Sequence, residues 1–229
     1  MSDYGRYCPV TLASDIVGDR WTLLLLRELL HGSTRFNDLA RGLPGISRSL
    51  LVQRLRHLER RGIVELWPSS TGRGNEYHLT PAGKDLDGVI AALGQWAVEW
   101  MFDELAPTEI DAGTLMWWMH LRVDPQELPA ARVVLQFDHT APVRQSLWIV
   151  LDRDGASVCT THPGADPDVV VTATTQALAA VFDGRTTWGE ALACGDASVE
   201  GPRTLARAVP RWFLSSPFGE LTRERATRA

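Results

Sequence analysis

Cysteine is scarce in this chain: Cys8, Cys159 and Cys194 are three among 229 residues, widely spaced and odd in number. That excludes a disulfide framework and fits a reducing compartment. Long apolar runs are absent too. The richest, TLLLLRELL, is interrupted by Arg27 and Glu28, so no segment reads as a membrane span. The opening MSDYGRYCPV lacks the basic start and apolar run of a signal peptide, and the expectation is a cytoplasmic protein without membrane association. Catalytic and metal signatures are missing as well. There is no HExxH, GxSxG, phosphate-binding GxxxxGKS/T or paired-cysteine spacing, and His31, His57, His78, His120, His139 and His162 are dispersed. DRDG resembles the start of a calcium loop without the rest of its spacing, and a hairpin turn accounts for it better. No enzyme activity, catalytic residue, metal or cofactor is therefore expected.

What is present is an uneven distribution of charge. The net charge of −5 argues against a polyanionic partner, yet Arg20 to Arg73 holds ten arginines against four acids, while residues 104–229 hold eleven against sixteen. With 45% of the chain hydrophobic there is material for one large domain or for two small ones, each able to bury its own core, and two is the expectation. A basic amino-terminal stripe joined to an acidic second half is the footprint of a nucleic-acid reader carrying another module.

The pattern predicts helices over Pro9–Val17 and Trp21–Leu30, then a third capped by Thr34, with Phe36, Leu39, Ala40 and Leu43 on one face. GLPGIS breaks the chain, and Ser47 is placed to cap a fourth helix, with Ile46 and Leu51 as a hydrophobic staple. Two helices joined by a tight turn form a helix-turn-helix. In the fourth helix Leu51, Leu55 and Leu58 share a face, so at 100° per residue Ser49, Gln53, Arg56 and Arg60 point away from the core. Arg and Gln can make paired hydrogen bonds to a guanine or adenine edge, and a helix fits the major groove. A solvated amphipathic face would carry the same charges. The short β segments IVELW and NEYHL follow, separated by PSSTGRG with Arg73 near its tip, and a hairpin in that position reads as a wing reaching a phosphate or minor groove. From Thr80 a long helix is expected to run to Asp103, with Leu86, Val89, Ile90, Leu93, Ala97, Trp100 and Met101 on one face and Trp96 beside it. That stripe would pack on a symmetry mate or on the second domain.

From Cys8 to Met101 the chain resembles the HxlR-type winged-helix transcriptional regulators. The stretches that carry the resemblance are CPVTLASDIVGDRWTLLLLREL, RFNDLARGLPGISRSLLVQRLRHLERRGIVE, EYHLTPAGKDL and ALGQWAVEW. The resemblance implies a homodimer on a near-palindromic operator in double-stranded DNA, with Ser47, Arg48, Ser49, Gln53 and Arg56 as recognition residues and Arg73 in the wing. It also implies that Cys8 matches a cysteine at which some of these regulators sense oxidants or electrophiles. Independently of it, Cys8 sits before Pro9 at a helix start with Arg6 nearby, a setting that favours the thiolate. A buried structural thiol is the alternative.

The acidic DELAPTEIDAG reads as a linker over 104–113, between a first domain at 1–103 and a second at 114–229. TLMWWMHLRV is a helix candidate. RVVLQFDH and QSLWIVLDRDGASVCTT read as a strand and a hairpin turning at Asp154-Gly155, followed by the strand DVVVTA, two helices, the strand ASVEG and a last helix PRTLARAVPRWF. Strands in front and helices behind argue α+β. DVVVTATTQALAAVFDGRTTWGEALACGDASVEGPRTLARAV resembles the sterol-carrier-like lipid-binding fold, which implies a small domain with an apolar tunnel. The expected whole is therefore a winged helix-turn-helix domain followed by an α+β sterol-carrier-like domain. Trp117, Trp118, Trp148, Phe182, Trp188, Trp212 and Phe213 either line such a tunnel or fill it. Three readings follow: a regulator responding to a hydrophobic or aromatic small molecule, a thiol-responsive regulator acting through Cys8, and a lipid carrier with a vestigial DNA-binding domain. Operator binding that changes with a small molecule, with oxidant, or with neither separates them.

Overall fold

The computed structural model describes residues 8–69, 74–101 and 110–228. The chain divides into two compact units, residues 1–93 and 94–229. The division falls earlier than the expected boundary after residue 103, and most of the expected linker at 104–113 lies outside the described residues.

In the first unit α1 (Pro9–Val17), α2 (Arg20–Leu30), α3 (Phe36–Gly42) and α4 (Arg48–Arg60) precede an antiparallel hairpin of β1 (Val64–Pro68) and β2 (Asn75–Leu79). Leu25 and Leu26 from α2, Leu39 from α3, and Leu51 and Leu58 from α4 are completely buried and meet in one cluster. Apolar residues at helical spacing thus turn three short helices onto each other. Ile46 and Leu51 both join that cluster, as the staple predicts. Thr34 does not cap α3. Arg35 holds that position without a side-chain cap, because the preceding backbone pairs with the hairpin: Tyr77 N–H donates to Thr34 O at 2.8 Å, and Arg35 bridges Glu76.

The long helix expected after the hairpin is broken. Thr80 caps α5 (Pro81–Lys84), its Oγ1 accepting from Gly83 N–H at 3.2 Å and donating to Gly62 O at 2.7 Å. The chain then turns at Asp85 and Leu86 before α6 (Asp87–Trp100). Gly83 gives the reason: a Cβ there would lie 2.3 Å from Ile63 O, so the first turn is pressed against the end of α4 and β1, and the helix re-aims before continuing. The expected stripe splits accordingly. Leu86 and Ile90 pack on the leucine cluster, while Val89, Leu93, Trp96 and Trp100 form an exposed row.

The second unit opens its sheet-bearing part with α7 (Ala112–Leu121), capped by Asp111, whose Oδ1 accepts from Thr114 N–H at 2.9 Å. There follow β3 (Val133–His139), β4 (Gln145–Asp152), β5 (Gly155–Cys159), β6 (Val169–Ala173), α8 (Thr175–Asp183), α9 (Trp188–Cys194), β7 (Ala197–Glu200), α10 (Arg203–Trp212) and α11 (Gly219–Arg228). The sheet order is β5-β4-β3-β6-β7, parallel at β3–β6 and antiparallel elsewhere. Asp152 pairs with Gly155, so the β4–β5 turn is centred on Arg153 and Asp154, one residue before the expected place. Period-two alternation sends Leu135, Phe137, Leu147, Ile149 and Val171 into one core with Leu115, Met116, Leu178 and Val209 from the helices. Helix α11 was not expected. GELTRERATR buries only Gly219 and Thr222, too little for an apolar period to show.

Gly184 lies where α11 begins, and Gly195 provides a comparison. Gly184 ends α8 with φ +81°, and a Cβ there would lie 2.2 Å from Gly219 O. Gly195 ends α9 with φ +82°, but a Cβ there meets nothing within 4 Å. Alanine at either site incurs the left-handed penalty, about 1–2 kcal/mol. Gly184→Ala adds a backbone collision, so its thermal unfolding midpoint falls well below that of Gly195→Ala. Equal midpoints for the two variants would show that the α8–α11 approach is not tight.

Candidate functional site

Helix α4 starts at a serine that does structural work. Ser47 Oγ accepts from Leu50 N–H at 3.2 Å and lies 3.1 Å from Ser49 Oγ. Arg48 leans back on α3, with Nη1 donating to Asn37 Oδ1 at 3.4 Å and its guanidinium 5.7 Å from the Phe36 ring centre. Arg54 turns the other way and pairs with Asp19. With Leu51, Leu55 and Leu58 buried, Ser49, Gln53, Arg56 and Arg60 make one exposed row along the helix. Gln53, Arg56 and Arg60 have no side-chain hydrogen bond or ion pair among the described residues, so their donors and acceptors are available to another molecule. The row has the composition that reads base edges and phosphates.

Arg73, expected at the wing tip, lies outside the described residues. At the end of the hairpin away from the Val64–Leu79 pair, Glu76 gathers Ser69 Oγ at 2.8 Å, Arg35 Nε at 3.4 Å and His78 Nε2 at 3.5 Å. The hydrogen bond from Ser69, helped by those from His78 and Arg35, holds its carboxyl below the usual carboxylate range. Trp67 stacks on His78 with ring centres 4.4 Å apart, and half of its surface remains exposed.

The second unit contains a cavity of about 340 Å³ walled by Met119, Val181, Phe182, Trp188, Pro210 and Phe213, with Thr186, Thr187, Ser215 and Arg223 as polar groups. Of the aromatics singled out in the sequence, Phe182, Trp188 and Phe213 line it. The other four do not, and packing explains each. Trp117 is buried against His120, with ring centres 4.3 Å apart. Trp118 stacks on Phe182 without reaching the cavity. Trp148 faces the opposite side of the sheet from Leu147 and Ile149, donating to Gln136 Oε1 at 3.2 Å. Trp212 is sealed in the core. Sequence reasoning missed the polar groups. Thr186 and Thr187 were legible as TT before a tryptophan, but Arg223 belongs to the unexpected α11.

Cys8 is exposed at the start of α1, outside any core. The backbone N–H groups of Thr11 and Val10 in the first turn of the helix favour the thiolate and hold its thiol below the ordinary cysteine value. Among the described residues no three His, Cys, Asp or Glu side chains gather as metal ligands, and no helix is long and apolar enough to cross a membrane.

Comparison with known proteins assigns the two parts separately. Residues 16–104 match the HxlR-like helix-turn-helix family, and residues 123–213 match the SCP-2 sterol transfer family. The uncharacterized HTH-type transcriptional regulator YvaP of Bacillus subtilis is 38% identical over 91 residues, covering 39% of this chain and 83% of YvaP. The uncharacterized HTH-type transcriptional regulator Rv3095 of Mycobacterium tuberculosis is 48% identical over 90 residues, 39% of this chain. The chain spans 56% of the length of that mycobacterial relative. Among solved structures, the reduced transcriptional regulator YodB of B. subtilis is 33% identical, covering 41% of this chain and 93% of YodB, with a TM-score of 0.37.

The cap at Ser47 separates a structural from a DNA-contacting role. Ser47→Ala lowers the stability of the first unit by about 0.5–2 kcal/mol, and Ser47→Asn, which also caps, restores most of it. Chemical denaturation followed by far-ultraviolet circular dichroism measures both. An alanine variant as stable as the parent would remove the cap from the account.

Proposed function

The chain belongs to the HxlR-like helix-turn-helix family, and from that premise we propose that it binds double-stranded DNA as a homodimer whose operator affinity responds to a ligand of the second unit. The observation that carries the reading is the row of Ser49, Gln53, Arg56 and Arg60, exposed along a helix whose opposite face is locked by leucines. Ser47 caps the same helix and Arg48 begins it. A dimer would place two such helices in successive major grooves of a near-palindrome, about 34–36 Å apart. The exposed apolar row Val89, Leu93, Trp96 and Trp100 on α6 is the surface suited to a second copy. The cavity supplies the effector site: apolar walls with a few polar groups are what a small hydrophobic or aromatic molecule needs. Coupling must be reciprocal, so an effector that weakens operator binding tenfold is itself bound tenfold more weakly by the operator complex, about 1.4 kcal/mol. A lipid carrier with a vestigial DNA-binding domain would bind ligand with no change in its operator isotherm.

Footprinting on the DNA upstream of its own coding sequence, followed by titration of variants, tests this. Gln53→Ala and Arg56→Ala each weaken operator binding by about 1–3 kcal/mol and relax the preference at one base pair, while Arg73→Ala weakens all sequences alike. Unchanged operator affinity in both Gln53→Ala and Arg56→Ala would sink the assignment.

A second reading has its own observation, the exposed Cys8 with its lowered thiol pKa. We infer a thiol-responsive regulator in which oxidation at Cys8 alters operator binding. Because the folded state favours the thiolate, labelling of Cys8 by iodoacetamide rises with pH through a midpoint below that of the same cysteine in the unfolded chain. Coincident midpoints, or diamide-induced operator release that persists in Cys8→Ser, would dispose of it.

A further inference from the structure

The lining of the cavity in the second unit combines apolar walls with a few polar groups. Its walls are apolar and partly aromatic, with the Trp188 and Phe213 rings 6.5 Å apart and inclined by 38°. Its polar lining includes Arg223, accompanied by Thr186 and Ser215. We propose that this cavity takes a small aromatic carboxylate, its ring between the apolar walls and its carboxylate on Arg223. The proposal rests on the effector reading above and narrows it to one chemical class.

Three observations lead there. The first is size. A volume of about 340 Å³ is at the lower limit of ligand sites, which run from about 300 to 1,000 Å³. It suits a compound of one or two rings rather than a sterol or a long acyl chain. The second is the placement of Arg223. Its Nη2 donates to Thr186 O at 3.2 Å, which fixes the head group at the cavity. A guanidinium has five N–H donors in a planar fork, so most remain for an incoming acceptor, and a carboxylate matches that fork.

The third observation concerns the nearest acid. Glu190 Oε2 lies 4.0 Å from Arg223 Nη1, but that same oxygen already accepts from Thr187 N–H at 2.7 Å, Thr187 Oγ1 at 2.8 Å and Thr186 Oγ1 at 3.1 Å. The bond from Thr187 N–H belongs to the capping box of α9, and the Thr187 and Thr186 bonds together hold the carboxyl below its ordinary range. Glu190 is therefore held on the helix start, and its pairing with Arg223 stays long, at 4.0 Å. Among the described residues no carboxylate lines the cavity, and the acid nearest to Arg223 is the Glu190 just described.

Isothermal titration of the full-length protein with 1-naphthoate and with its neutral counterpart 1-naphthamide tests the charge. The expected result is naphthoate binding about tenfold or more tightly than the amide, as for a charge-assisted hydrogen bond. Arg223→Gln abolishes that preference, while Arg223→Lys keeps part of it. Gly189→Asp provides a second route independent of α11. A Cβ at Gly189 meets only Thr187 Oγ1, at 3.8 Å, so the variant is accommodated, and its carboxylate repels the ligand's own. Equal binding of acid and amide by the parent, or an acid preference that survives both Arg223→Gln and Gly189→Asp, overturns the proposal. Binding of palmitate or cholesterol without either naphthyl compound overturns it while the broader effector reading stands. Binding of none of these compounds removes both.

Discussion

The seating of Leu51, Leu55 and Leu58 against α2 and α3 governs what the first unit can present to another molecule. Each buried leucine contributes about 1.5–3 kcal/mol. A helix cap contributes about 1 kcal/mol, and an exposed ion pair such as Arg41–Asp38 less than that. The leucines therefore set the rotation of α4, and the polar side chains take the directions that remain. A rotation of one residue would carry the outward row 100° around the axis and bring Val52 and Arg56 toward the position of the leucines. The cationic row is in this sense a by-product of an apolar one.

In the second unit short-range features decide the geometry of the cavity. Gly184 lets α11 begin on top of the end of α8, and α11 carries Arg223. The capping box of Thr187 and Glu190 begins α9, puts Trp188 in the wall and restrains the acid nearest to the arginine. The rim segment is pinned from both sides: Leu214 N–H donates to Arg122 O at 2.8 Å, Arg122 Nε donates to Ser215 O at 3.0 Å, and Ser216 N–H donates to Phe182 O at 2.7 Å. The walls are thus held mainly by backbone hydrogen bonds and glycine conformations, and the lining side chains ride on them.

Much of the fold was legible because it rests on periodicity. The leucines of α4, the cap at Ser47, the wing strands and the alternating strands of the sheet each declare themselves within a few residues. The misses share a cause, which is contact between residues far apart in sequence. Thr34 resembles a cap until β2 recruits its carbonyl. The helix after Thr80 looks continuous until Ile63 O presses on Gly83. The tryptophans all resemble lining residues, and only the sheet register tells that Trp148 faces away from Leu147 and Ile149. Arg223 could not be found from sequence, since α11 shows almost no apolar period.

The backbone bond from Tyr77 to Thr34 O and the Arg35–Glu76 pair join the start of α3 to the second strand of the hairpin. With α4 packed on α3 through Leu39, and β1 following α4 directly, the recognition helix and the wing strands form one closed loop of contacts. Such a frame has little freedom to spread or narrow. A duplex engaged by both elements would have to supply the adjustment through its own bending and groove width. Stiffness of the intervening base steps would then enter the affinity at positions that no side chain touches.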